Sequence, residues 1–242
     1  MAQRQTKTAG RAGGAPRRAR GSLSREHIVD AAFEIAEEAG LDELSMPRLA
    51  QKLEVGVTSL YWYFRSKEEL LDALTEEAVR AVDVAMPDLT KLKWDDHVSQ
   101  YWNAYRDILR SRPILADLTV LRALSIAHSP RASQMHAARM DRELTVLVEA
   151  GFSPEEAMRA YATFSGFTRG SIQAERAFAA AVRPDAEPAD LQALHLDWAI
   201  LPTLRAVAPY WTPALATDAD FLFGLRAIVA GLRATVAERK RK

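Results

Sequence analysis

From residue 24 onward apolar residues recur every three or four positions, and no short β-branched run bounded by turns interrupts them. A chain patterned in this way can bury its hydrophobic surface only by packing helices on one another, so an all-α fold is expected. In the first helix, about residues 24–39, Ile28, Ala32, Ile35 and Ala39 form one stripe with Val29, Phe33 and Ala36 beside it, and Gly40 is placed to end it. Two very short segments follow, 46–53 and 57–63. Helix nucleation is too costly for such lengths to persist alone, so both depend on packing.

Start signals divide the rest. Ser45 before Met46 and Pro47 marks one helix, and Ser66 with Glu69 forms a capping box that opens a long helix ending near Met86 and Pro87. Ser129-Pro130 and Ser153-Pro154-Glu155-Glu156 mark two more. Helices are expected over 94–110, 113–127, 130–150, 153–182, 190–208 and 218–238, with a loop over Arg183–Ala189.

Charge divides the chain differently. Its net charge is zero, yet residues 1–22 contain Arg4, Lys7, Arg11, Arg17, Arg18 and Arg20 and no acid. This Gly/Ala/Thr-rich stretch has no apolar periodicity and is expected to be a disordered basic arm, either a solvated tail or a segment that tracks phosphates. No cysteine is present, which excludes disulfides and thiolate chemistry. With 48% hydrophobic residues, no signal-peptide pattern and no apolar run of about 18, a soluble cytoplasmic protein with no membrane partner is expected.

Two short helices joined by a tight turn, resting on a longer first helix, are the layout that lays a second helix in the DNA major groove. Here they lead into Leu60-Tyr61-Trp62-Tyr63-Phe64-Arg65-Ser66-Lys67. Thr58 and Ser59 are short donors suited to base edges or phosphates, and Tyr61, Trp62 and Tyr63 offer polar and ring contacts to a groove wall. Lys67 stands at a helix N-terminus where ammonium and amides together suit a phosphate, and Arg48 is in reach of the backbone. Leu60 and Phe64, an i,i+4 apolar pair, belong to the core.

Residues 24–74 resemble the tetracycline-repressor (TetR) family of bacterial regulators. The resemblance rests on Leu49-Ala50-Gln51-Lys52-Leu53, Ser59-Leu60-Tyr61-Trp62-Tyr63-Phe64 and Lys67-Glu68-Glu69-Leu70-Leu71. It implies a helix-turn-helix domain over 23–70, a helical ligand-binding and dimerisation domain over 71–242, a double-stranded DNA operator, a homodimer and a small-molecule inducer. The chain departs from the family where a glycine usually follows the first short helix: it has Glu54, and the permissive glycine is expected to have moved to Gly56.

A weaker likeness to the tetracycline-repressor subgroup runs through Gly151-Phe152-Ser153-Pro154-Glu155-Glu156-Ala157 and Phe164-Ser165-Gly166-Phe167-Thr168-Arg169-Gly170. In the last helix Leu222, Leu225, Val229, Leu232 and Val236 follow 3-4-3-4 spacing beside Gly224 and Gly231, and Gly166 and Gly170 would let a partner helix approach. The stripe faces either a second copy or the chain's own core. Trp102, Tyr105, Arg106, Met135, Met140, Phe164 and Phe167 are candidates for an apolar ligand pocket, with ordinary core as the alternative.

His27, His97, His128, His136 and His195 show no metal-binding spacing, and no metal or cofactor is expected. No histidine lies around Leu109–Pro113, where the resemblance would put one of the residues that hold magnesium-tetracycline. This argues against tetracycline as the inducer. No serine elbow, phosphate loop or catalytic carboxylate pair supports an enzyme. The competing reading is a helical enzyme or binding protein for a hydrophobic small molecule, and a ligand-controlled activator is a variant of the regulator.

Overall fold

The structure, a computed structural model, describes residues 23–121, 129–181, 196–210 and 217–239. Among them there is no strand. The helices are α1 Arg25–Ala39, α2 Met46–Lys52, α3 Val57–Tyr61, α4 Lys67–Ala85, α5 Trp94–Ser111, α6 Pro113–Ala116, α7 Pro130–Glu149, α8 Pro154–Ala181, α9 Pro202–Val207 and α10 Asp218–Arg239. The basic segment 1–22 and the expected loop Arg183–Ala189 lie outside the described residues.

The serine caps form as the sequence suggests. Ser24, Ser45, Ser66, Ser129 and Ser153 accept from the amides of His27, Arg48, Glu69, Ala132 and Glu156 at 3.1 to 3.3 Å. Each satisfies a donor that the helix leaves open, a contribution of about 1 kcal/mol. Around Ser153 the box closes, its amide donating to Glu156 Oε2 at 2.8 Å. Around Ser66 the carboxylate of Glu69 takes the Arg65 amide instead, also at 2.8 Å.

Three expectations need correction. The segment 190–208 is not one helix: 190–195 are outside the described residues, 196–201 are non-helical, and only α9 and a 3₁₀ turn to Tyr210 follow. Pro202 explains the late start, because proline suits a first helical turn and breaks an interior. Beyond α6 the backbone widens into a π-helical turn over Asp117–Leu121, which spacing alone does not announce. In the helix-turn-helix, Gly56 sits at φ −72° as the extended N-cap of α3, while Glu54 itself takes φ +55°. The left-handed position has stayed where it was, occupied by a residue for which it is strained.

One continuous core joins the two ends of the molecule. Ile28, Ala32, Leu49, Leu60, Phe64 and Leu74 close the first three helices over α4, and Trp102, Leu115, Phe164, Phe221 and Leu225 continue it through the larger body. α4 packs on α1 and also on α6 and α7. It is the main element that connects the headpiece to the body, with Arg112 adding a second tie from the end of α5 to Glu37 and Phe33 of α1. On α10, Gly224 lies against Phe167, and a Cβ there would fall 2.3 Å from the ring; around Gly231 the space is open.

Candidate nucleic-acid interface and ligand cavity

α3 has five residues, and its position is fixed from both ends. Leu60 and Phe64 are fully buried. The Arg25 guanidinium lies 4.1 Å from the Phe64 ring centroid, donates to the Tyr63 carbonyl at 2.8 Å and reaches Glu69 Oε1 at 3.3 Å. The Tyr63 hydroxyl donates to the Leu23 carbonyl at 2.7 Å. The start of α1, the end of α3 and the start of α4 are thus tied together around one ring. Glu69 is held below the usual carboxylate range, first by the Arg65 amide and then by Arg25, so these ties keep their charge.

The residues expected to face DNA divide into three groups. Thr58, Tyr61 and Trp62 project outward, Trp62 with 85% of its surface exposed. Ser59 and Lys67 are half-buried, Lys67 as the first residue of α4. Arg48 is engaged with Glu43 at 2.8 Å, and Tyr63 is committed to Leu23. Arg65, exposed between Tyr63 and Lys67, was not singled out by sequence, although its place in the basic-aromatic run is a readable signal.

A half-open cavity of about 880 Å³ lies between the end of α4, the α4–α5 link, α5 and α7. Its walls include Met86, Leu89, Trp94, Tyr101 and Val146, and its polar groups include Asp83, His97, Arg139 and Glu143. His97 faces two acceptors, the Leu89 carbonyl at Nδ1 and Glu143 Oε2 at Nε2, each at 3.1 Å. The hydrogen bond to Glu143 raises the imidazole pKa against the opposing effect of burial. Tyr101 is stacked between His97 and Tyr105, and burial pushes its phenol far above the ordinary value.

Arg139 is the cavity's buried cation. Its side chain is 2% exposed, and it reaches Asp83 Oδ1 at 3.3 Å and His136 Nδ1 at 3.1 Å. Burial and Arg139 hold His136 below its ordinary pKa, so its Nδ1 is neutral and able to accept. Asp83 belongs to α4 and Arg139 to α7. A charge pair in the cavity wall therefore spans to the helix that carries the headpiece.

None of the seven pocket candidates lines this cavity. Trp102 and Phe164 stack on each other in the core, 5.8 Å between centroids. Phe167 stacks on Phe221, Tyr105 supports Tyr101, and Met140 packs half-buried against the core. Met135 sits at a separate groove beside α1 and α4. Arg106, 1% exposed, is held by Glu175 and by Asp218 at 2.8 Å over the Phe221 ring; Arg110 shares both carboxylates. The cavity residues did carry a signal: on α7, Ala132, His136, Arg139, Glu143 and Leu147 follow 4-3-4-4 spacing, which puts charged residues on the buried stripe.

The dimer candidates also divide. Gly166 and Gly170 are exposed with open space around them. Leu222 is at the surface, whereas Leu225 and Val229 are buried in their own chain. Leu232 is half-buried and, with Ile228, Gly231, Ala160 and Thr163, lines an apolar groove of about 350 Å³ between α8 and α10.

Comparison with known proteins gives these features a lineage. Residues 28–74 match the family described as bacterial regulatory proteins, tetR family, and residues 86–236 match the tetracyclin repressor-like C-terminal domain. An HTH-type transcriptional repressor of Mycobacterium tuberculosis is 39% identical over 66% of this chain, which spans 60% of that relative's length. The class A tetracycline repressor of Escherichia coli is 32% identical over 87% of this chain and 90% of its own. A possible TetR family transcriptional regulator from Streptomyces coelicolor is 31% identical, with TM-score 0.63, covering 88% of this chain and all of the other. ActR of the same organism, solved with (S)-DNPA, is 26% identical with TM-score 0.64, covering 89% and 100%. The chain belongs to the TetR family of bacterial transcriptional regulators, which are not enzymes.

Proposed function

We propose that the chain is a dimeric repressor that binds a palindromic duplex operator through α3 and is released when a small molecule enters the cavity between α4, α5 and α7. The observation that carries this reading is the Asp83–Arg139 pair, which joins the cavity wall on α7 to α4. A ligand that takes over either partner loosens that tie, and α4 moves the two headpieces out of register with successive major grooves. Such a ligand acts only through its preference for the displaced state. The apolar walls beside the Asp83–Arg139 and His97–Glu143 pairs suit a compound with an aromatic or apolar body and at least one hydrogen-bonding group. Relatives named as tetracycline repressors, and a neighbour solved with a small molecule, support ligand control. The work of such a protein is on DNA, in the cytoplasm, and no helix among the described residues is long and apolar enough to cross a membrane.

Two copies are needed to read a palindrome, and the open faces of Gly166 and Gly170 with the groove beside Leu232 are where we place the second. Fluorescence anisotropy on a duplex from the chain's own upstream intergenic region, against a shuffled duplex, tests the DNA reading. Tyr61→Ala and Lys67→Ala should weaken selective binding and leave helix content and sedimentation unchanged. Wild-type affinity in both variants would mean that another surface reads DNA. Gly170→Arg, at a site with room for a side chain within the protomer, should give folded monomers by sedimentation. An unchanged dimer would move the interface elsewhere.

A further inference from the structure

Two arginines of the body are buried to the same degree and compensated to different degrees. Arg106, 1% exposed, has two carboxylates, Glu175 and Asp218, the second at 2.8 Å. Arg139, 2% exposed, has Asp83 at 3.3 Å and shares it with Arg142 at 3.6 Å. The nearest other acid of the wall, Glu143, is taken by His97 at 3.1 Å. The remaining neighbours of the Arg139 guanidinium are neutral: His136 Nδ1 at 3.1 Å, and the Tyr105 ring with its centroid 5.6 Å away. Among the described residues these bonds occupy two of the five N–H donors that a guanidinium offers. One shared carboxylate at that distance does not fully offset the cost of burying the cation. Arg139 lines the cavity of about 880 Å³, and so does Tyr101, which is 4% exposed and whose hydroxyl has no hydrogen bond to another described residue. Burial pushes that phenol far above its ordinary value, so it stays a protonated donor. Of the other acids around the cavity, Asp95 is held by Arg233 at 2.8 Å, while Asp88, Asp141 and Glu149 are exposed at the rim with Lys93 and Arg142.

We propose that the cavity takes an organic acid, a single carboxylate on an aromatic or apolar body, bound by the Arg139 guanidinium and the Tyr101 hydroxyl. This rests on the reading of the cavity as the inducer site and adds which partner of the Asp83–Arg139 pair the ligand takes. The carboxylate accepts from the free N–H groups of Arg139 and from the phenol, while the body of the molecule lies against Leu89, Trp94 and Val146. Its charge then stands beside Asp83 and repels it. Because Asp83 belongs to α4, that repulsion supplies the preference for the displaced state that release requires. A cation would have to take Asp83 and leave Arg139 buried without a carboxylate, which is the costlier exchange. A neutral compound would leave the shortfall around Arg139 as it is.

The test is calorimetric titration of the full-length chain with benzoate, naphthoate and phenylbutyrate, each beside its primary amide and the corresponding primary amine. At least one acid should bind about tenfold or more tighter than its amide and its amine, the usual worth of a hydrogen bond to a charged group. Tyr101→Phe should lower that ratio about threefold and leave amide binding unchanged. Arg139→Gln should abolish the preference. Asp83→Asn keeps Arg139 in place and removes its competitor, so it should bind the acid more tightly than wild type does, and it keeps the test decisive if the Arg139 variant fails to fold. Amides or amines that bind as well as the acids overturn the assignment, as do acids that all bind more weakly than about 1 mM. An Asp83→Asn variant with no gain in acid affinity overturns it too. Anisotropy on the operator separates the two readings. Acids that bind and leave the operator complex intact sink the release reading and leave this assignment standing, whereas neutral probes that release the operator when acids do not overturn this assignment alone.

Discussion

In the headpiece charged side chains stay at the surface and pair with near neighbours, whereas in the body two arginines are sunk almost completely. Arg48 and Lys52 keep 39% and 30% of their side-chain surface, against 1% for Arg106 and 2% for Arg139. The headpiece is held by apolar anchors and a few directed hydrogen bonds around Phe64, so its charges are available for exchange with a polyanion. The body is held in part by its charges, which join α5 to α8 and α10 and α4 to α7. One region keeps its ions at the surface, and the other uses them inside for position.

The sharpest way to break that contrast is Glu175→Leu, which removes the carboxylate that Arg106 shares with Arg110. Leaving a buried cation with an incomplete partner should cost about 3 kcal/mol in urea unfolding. A loss below about 1 kcal/mol would put Arg106 in the same class as the surface pairs. The His97–Glu143 pair sharpens it by titration. Because the folded pKa of His97 is raised, the pair's stabilisation is complete below the unfolded value of about 6.5 and disappears as pH rises through the folded value. Wild type should exceed His97→Gln in stability more at about pH 6 than at about pH 9, and a gap that is constant or grows with pH would assign the pair another role.

Smaller effects are expected in the headpiece. Tyr63→Phe removes the hydroxyl that holds Leu23 and should cost about 1 kcal/mol while weakening operator binding, since it loosens the tie between the start of α1 and the end of α3. Glu54→Gly should stabilise by about 0.5–1 kcal/mol, because glycine accepts φ +55° without steric strain. A destabilised glycine variant would show that the Glu54 side chain contributes more than its backbone strain costs. Glu43→Gln should change stability by less than about 0.5 kcal/mol, and by releasing Arg48 should strengthen DNA binding slightly.

Sequence reasoning reached the headpiece through local signals, although the ties from Arg25 and Leu23 to Tyr63 and Glu69 span 38 to 44 residues and were not read. Serine caps act over three residues, Leu60 and Phe64 are four apart, and the exposed aromatics interrupt a short apolar pattern. The body's buried polar pairs were hidden because their partners are distant in the chain: His97 and Glu143 are 46 residues apart, Arg139 and Asp83 are 56, and Arg106 and Asp218 are 112. Periodicity found the helix faces and left the large rings open between a pocket lining and ordinary core. The structure puts those rings in the core and lines much of the cavity with residues that sit on apolar stripes with charged ends. Pro202 and the π-helical turn mark the other limit, since neither a late restart nor a widened turn changes the apolar count that the pattern uses.

Gly224 and Gly231 stand one heptad apart on α10, yet substitutions at the two should have unlike fates. At Gly224 even a methyl group collides with Phe167, the ring stacked on Phe221 under the Arg106 guanidinium, so a change there would travel from the surface helix into the buried charge lattice. At Gly231 a Cβ meets nothing within 4 Å among the described residues, so a substitution there is judged mainly by whatever occupies the neighbouring groove. A library of variants at these two positions would therefore separate residues selected by folding from residues selected by company.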